Sequence, residues 1–405
     1  MKNNFRNNST KAFFYLFILF FASGFLSAQS ILDPNAQAEI IATNIGQPEG
    51  PVWVEGTGLL FSDIKAAKIY KWVTGNSSTV YMDKSDSTNG LALDLQGRLI
   101  AGQMGKRRIV RFETDGSQTD LASKYMDKRF NSPNDLVMKS DGSIFFTDPD
   151  FNIPGGPTKK ELSFQGIYRI SPTGSLQLLD TLSKPNGICF SPDEKKLYVN
   201  ESPKGEIYVW DVVNDTAIAN KKLFAKHRYG GYADGMKTDP DGNLYCTGPK
   251  GIDVFSPNGT SIGFIQLPNN NSASNIAWGE ADGKTLFITC GGQNKPVYKI
   301  RPLLTGINNK EGNVLPKEFK LEQNYPNPFN PQTTIGYNIP ENSKVSLIVY
   351  DSLGKEITTL VDEYKNAGSY SAHLSANNFQ LSSGIYFYKL TAGKFSSTKK
   401  MIYLR

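Results

Sequence analysis

Six short stretches of the chain each open on a side chain that offers oxygen. EGPVWVEGTGLLFSD, NGLALDLQGRLIAG, NDLVMKSDGSIFFTD, NGICFSPDEKKLYVN, DGMKTDPDGNLYCTG and NIAWGEADGKTLFIT begin with Glu49, Asn89, Asn134, Asn186, Asp234 and Asn275. No Lys, Arg or apolar residue occurs among these six leading positions. Carboxylates and amide oxygens gathered at one point make a site for a hard divalent cation, because calcium accepts several oxygen ligands with loose geometry. Glu49 and Asp234 would balance a charge of +2, and the asparagines would complete the shell without adding charge. One such Asn taken alone is as readily explained as the cap of a turn. The same class of side chain at six equivalent places is the stronger observation.

Something must aim these six residues at one axis. After each comes an apolar run, a tight turn and a second apolar run, and the unit recurs about every 45 residues, the period of a β-propeller built from four-stranded blades. Outer strands are visible as KIYKWV, RIVRFE, GIYRIS, EIYVWD, GIDVFS and VYKIRP. Six blades are expected, with the innermost strand of each lining a central channel and the leading residue at its mouth. The small or polar residue that follows (Gly50, Gly90, Asp135, Gly187, Gly235) leaves the backbone room to turn. AEIIATNI, residues 38–45, is expected to complete the last blade and seal the ring, which removes exposed strand edges.

Composition agrees. Aromatics at 12% and charged residues at 20%, with 37 Gly and 22 Pro, suit a turn-rich all-β protein and argue against disorder. The net charge of +6 is spread along the chain without a basic run, which excludes a nucleic-acid partner. With only two histidines, His227 and His373, a His-rich zinc site is excluded. No G-x-x-x-x-G-K-[ST] phosphate loop is present. His227 reads as a loop histidine in solvent. Cys189, Cys246 and Cys290 lie in apolar runs and read as buried core, as do Trp53, Trp72, Trp210 and Trp278.

PEGPVW, RFNSPNDLVMKSDGSIFFTDP, FQGIYRI, KPNGICFSPDEKKLYV and ADGMKTDPDGNLYCTGP resemble the gluconolactonase/SMP-30/regucalcin-like lactonases over roughly residues 38–302. The resemblance implies a six-bladed propeller with one divalent cation in its channel, calcium first, with Zn2+, Mg2+ or Mn2+ as alternatives. By that resemblance Glu49, Asn186 and Asp234 match metal ligands, and Asp234 matches the acid/base. Asn134 matches a substrate contact that faces the cation in related phosphotriesterase propellers. Asn89 and Arg129 are further expected substrate contacts. The chain departs from the pattern at Ser132, where animal members carry an arginine that Arg129 only approaches. It departs again at Gln103-Met104, where many bacterial members carry an acid and a histidine.

Opening a lactone requires a polarised carbonyl, an activated water and a stabilised oxyanion. A cation can polarise the carbonyl, and Asp234 could take the proton from water. A carboxylate on a cation is a weak base. Either its second oxygen does the work, or a water on the cation attacks, or Asp234 itself does. The expected activity is hydrolysis of a sugar lactone such as an aldonolactone. The alternatives are a phosphotriesterase on the same cation, or a non-catalytic surface-binding propeller with a structural cation.

The two ends of the chain concern export. Lys2, Arg6 and Lys11 precede AFFYLFILFFASGFLSA, which reads as a signal peptide cut near Ala28. No later segment is apolar enough to span a bilayer as a helix. At the other end, prolines 326, 328 and 331 forbid a helix in YPNPFNP, and short strands follow, as in a small Ig-like β-sandwich. YPNPFNP, VYDSLGKEI, SSGIYFYKL and KKMIYLR resemble the C-terminal sorting domain of type nine secretion substrates. That resemblance implies outer-membrane secretion machinery as a partner, and a secreted or cell-surface location reached through the periplasm. The chain thus divides into a leader at 1–28, a propeller over 31–302, a linker at 303–316 and a sandwich over 317–405.

Overall fold

The computed structural model describes residues 38–302, 316 and 318–404, apart from 152, 154, 155, 215, 281, 292, 293, 325, 326 and 380. The expected leader, and the expected linker save Pro316, lie outside the described residues. Six four-stranded antiparallel sheets account for the first part. Blade 1 runs Pro48–Val54, Gly58–Asp63, Lys68–Trp72 and Thr79–Asp83; blade 2 runs Thr88–Leu93, Leu99–Gln103, Arg108–Phe112 and Gln118–Ala122. Blade 3 holds Leu136–Met138, Ile144–Asp148, Gly166–Ile170 and Leu176–Thr181; blade 4 holds Pro185–Phe190, Lys196–Glu201, Glu206–Val213 and Ala217–Lys226. Blade 5 consists of Met236–Thr238, Leu244–Gly248, Gly251–Phe255 and Ser261–Gln266.

Blade 6 draws on both ends of the ring. Ala273–Gly279, Thr285–Cys290 and Val297–Ile300 supply three strands, and Glu39–Ala42 supplies the fourth. Glu39 pairs with Lys299 in the ladder, and their side chains form an ion pair at 3.0 Å. Ile41 is buried with Phe61, Trp72, Phe287 and Val297, so the closing strand also ties blade 6 to blade 1. Ile41→Ala should therefore cost about 2 kcal/mol or more, read as a lower midpoint in urea unfolding.

The second strand of each blade is buried along nearly its whole length, which is why these segments read as apolar runs. Neighbouring blades interleave side chains: Phe145, Ile167 and Trp210 pack with Ile188 and Leu197 between blades 3 and 4. All three cysteines are buried and free. Trp72 and Trp210 are buried, and Trp53 stacks on Phe287 with ring centroids 5.4 Å apart.

The C-terminal part folds as a β-sandwich. Lys320–Leu321, Gln332–Ile339 and Gly368–Ser375 form one sheet; Glu356–Lys365, Ser343–Tyr350, Gly384–Ala392 and Phe395–Tyr403 form the other. Ile335, Ile339, Leu347, Tyr388 and Met401 fill the space between them. The NPFNP segment, residues 327–331, is pinned to the end of the chain's last strand. Phe329 exchanges backbone hydrogen bonds with Ile402 and Leu404, and Ile402 donates to Asn327 Oδ1 at 2.9 Å. Among the described residues no helix is long and apolar enough to cross a membrane.

Candidate active site

In blades 1, 2, 4 and 6 the leading residue sits where the first strand breaks register with the second, while Asn134 and Asp234 lie just ahead of the first strands of blades 3 and 5. The ladder shifts between Glu49 and Val52, between Thr88 and Leu91, and between Pro185 and Ile188. Such an irregularity bends a strand and re-aims a side chain. Gly50 shows what this needs: its φ is +43°, and a Cβ there would lie 2.2 Å from the Asn89 carbonyl. Only glycine fits.

A belt of hydrogen bonds then links one blade to the next. Ser62 Oγ donates to the Asn89 carbonyl at 2.8 Å, and the Gly90 N–H donates to the Asn134 carbonyl at 2.9 Å. Thr147 Oγ1 donates to Asn186 O at 2.7 Å, and Asn200 Nδ2 donates to Asp234 O. Thr247 Oγ1 donates to Ser274 O at 3.0 Å, and Ser274 Oγ donates to Pro48 O at 2.9 Å, which closes the circuit. The backbone of every leading residue but Asn275 and Glu49 is thus gripped directly by its neighbour, and those two are held through Ser274 and Pro48.

Within this frame Glu49 and Asp234 line one cavity of about 280 Å³, together with Tyr232, Ser274 and Lys295. Glu49 is buried, and its carboxyl is pushed up to about 8, first by loss of water and then by the Asp135 charge, against hydrogen bonds that favour the ionised form. Asp234 is pushed well above the usual carboxylate range, chiefly by desolvation, then by Glu49 and by Asp135. The Asn186 side chain hydrogen-bonds the Asp234 carboxylate. Its own Oδ1 is buried without a hydrogen-bond partner, and so is Asn89 Oδ1. Asn89 Nδ2 lies against Met104 Sδ at 3.5 Å. Asn134 is buried as well.

These features fit a divalent cation. Two carboxylates crowded together gain from a nearby +2 charge, and stranded buried amide oxygens gain a partner. Among the described residues no three His, Cys, Asp or Glu side chains group to hold a metal. A cation here would therefore rely on amide oxygens beside Glu49 and Asp234.

Other residues stand differently from the sequence reading. Asn275 turns its Oδ1 inward to accept from the Ile276 N–H at 2.8 Å, and its side chain supports Glu49. Arg129 lies on an exposed hairpin of Lys124–Tyr125 and Lys128–Arg129, its Nε 2.6 Å from Glu161 Oε1. No described contact joins it to the two acids. His227 is buried rather than solvated, 3.8 Å from Asp253, and burial lowers its pKa. Gln103 donates to Ser85 O at 3.1 Å and so braces the lead-in to blade 2, whereas Ser132 makes only a backbone bond, its N–H donating to Asp148 Oδ1 at 2.7 Å, and its hydroxyl is buried without a hydrogen-bond partner.

Sequence reasoning passed over Asp135, Tyr232 and Lys295. Asp135 carried a signal: it holds the place where Gly50, Gly90, Gly187 and Gly235 stand in other blades. Tyr232 and Lys295 lie on connecting loops, where no repeat marks them.

Residues 47–292 match the SMP-30/Gluconolactonase/LRE-like region, and residues 323–404 match the secretion system C-terminal sorting domain. The chain is 34% identical over 287 residues to a gluconolactonase of Zymomonas mobilis, covering 64% of this chain and 80% of that protein. A solved gluconolactonase structure from Xanthomonas campestris is also 34% identical, with a TM-score of 0.61 over 66% of this chain and 90% of that one. A calcium-binding protein, regucalcin, from Agrobacterium tumefaciens shares the fold at 18% identity, with a TM-score of 0.57 over 66% of this chain and 95% of that one.

Proposed function

Because the chain belongs to the SMP-30/Gluconolactonase/LRE-like family, we propose that it is a lactone hydrolase acting on a sugar lactone outside the cell. The observation that carries this reading is the shared cavity of Glu49 and Asp234, with Asn186 hydrogen-bonded to Asp234 and its own Oδ1 left unpartnered. Glu49, Asn186, Asp234 and Asn134 would hold a divalent cation, calcium first, since hard oxygen donors suit it. When bound, the cation supplies Lewis-acid polarisation of the ring carbonyl.

The remaining work falls to side chains. Asn89 and Asn134 orient the lactone through amide hydrogen bonds. Asp234 accepts a proton from the attacking water as the new C–O bond forms, and returns it to the ring oxygen as the old bond breaks, leaving a hydroxy acid. Crowding by Glu49 and desolvation oppose the acidifying pull of a cation on Asp234, which keeps it basic enough for this role. The sorting domain sends the protein to the secretion machinery, and residues 1–28 would serve as the leader for the first export step.

Purified protein assayed on a panel of lactones and on an organophosphate, with and without chelator, tests the reading. Lactone hydrolysis is expected, lost with chelator and restored by calcium. Hydrolysis indifferent to chelation would remove the cation from the reading, and cleavage of the organophosphate alone would replace the substrate class.

A further inference from the structure

The innermost strand of blade 5 carries a charge with no role in the chemistry above. Lys237 stands three residues after Asp234 on the innermost strand of blade 5, where the other blades carry Val52, Ala92, Val137, Cys189 and Trp278. Its ammonium lies 3.9 Å from Asp135 Oδ2 and donates to the Met236 carbonyl at 3.1 Å. The side chain keeps about a quarter of its surface, 26%, while the Asp135 side chain keeps only 2%. Asp135 is fixed from two blades: its Oδ1 accepts from the Leu136 N–H at 3.0 Å, and its Oδ2 lies 3.5 Å from the Ile188 N–H. Its charge is felt at both Glu49 and Asp234.

The charge of Asp135 thus couples Lys237 to Glu49 and Asp234, while a second ammonium, Lys295, lies on the cavity wall itself. Removing Lys237 would leave the ionised groups one unit more negative toward a divalent cation. We propose that Lys237 is a tethered counter-ion that sets the affinity of the cation site, weakening it so that the ion exchanges with its surroundings. The inference rests on the cation reading given above. It differs from a packing role, because an ammonium 3.9 Å from its partner is a loose pair and a methionine would fill the same space. A unit charge acting on a divalent ion at an effective dielectric of about 20–40, over a distance on the order of 10 Å, shifts the dissociation constant by one to a few powers of ten. The partial exposure of Lys237 places the effect at the low end, about tenfold.

The test is calorimetric titration of calcium into the full chain and its variants. Lys237→Met is expected to bind calcium about tenfold more tightly, and Lys237→Arg to bind as the unaltered protein does. Should Lys237→Met fail to fold, Lys237→Gln removes the same charge with a hydrogen-bonding tip retained, and is expected to show the same tightening. Unchanged or weaker binding by a folded charge-removing variant would overturn the inference and leave the cation site standing. An unaltered protein that binds no calcium, magnesium, zinc or manganese would overturn the cation reading itself, and this inference with it.

Discussion

Asp234→Asn is expected to lower kcat/KM for lactone hydrolysis about a thousandfold at saturating calcium, with the blades still folded. The substitution keeps an oxygen at the cavity wall and keeps the backbone carbonyl that accepts from Asn200. It removes both the base and one of the two charges that would hold the cation. Loss of the base alone accounts for two to four powers of ten in comparable proton transfers. Loss of the charge should show separately, as weaker calcium binding in a titration. Because Asp234 and Glu49 repel each other across the cavity, the variant should melt no lower than the unaltered protein in chelator. A variant that binds calcium and retains full turnover would remove Asp234 from the proton transfer and leave it as a ligand only.

Glu49→Gln should produce two effects of opposite sign. Cation binding should fall by about a hundredfold or more, since half of the ligand charge goes. The chelated protein should nevertheless melt a few degrees higher at pH 7. Glu49 titrates near 4.5 in an unfolded chain and near 8 in the fold. Between those values the unfolded chain has released a proton that the folded one retains, so the cation-free fold loses stability as pH rises from 4.5 to 8 and loses no more above it. Melting curves in chelator across that window should fall for the unaltered protein and run flatter for Glu49→Gln. Calcium should flatten the unaltered curve as well, with release of protons on binding. Parallel curves for the two proteins in chelator would show that Glu49 keeps an ordinary pKa and that the cavity does not strain it.

The blades were legible because their chemistry repeats. Buried second strands must be apolar, hairpins must turn, and a period near 45 residues records both. Glu49, Asn186 and Asp234 could be picked out for the same reason, as equivalent residues that depart from apolarity together. What an amide does once there could not be read. Asn275 has the same residue type and place as Asn186, yet one spends its oxygen on the next N–H while the other leaves it stranded. That choice is made by rotamers and by neighbours such as Thr289, which lies on the next strand. Arg129 and His227 illustrate a second limit. Both lie on connections outside the repeat, where a nearby charge such as Glu161 or Asp253 decides whether a side chain stays at the surface or sinks.

The seal between Glu39–Ala42 and Val297–Ile300 joins the first described strand of the ring to nearly the last. A chain made from its N-terminus therefore cannot finish the ring as it emerges. The opening segment must wait, unpartnered, until more than two hundred later residues have arrived. Pairings of such long range are slow to form, so the ring locks only once its first and last strands are both present.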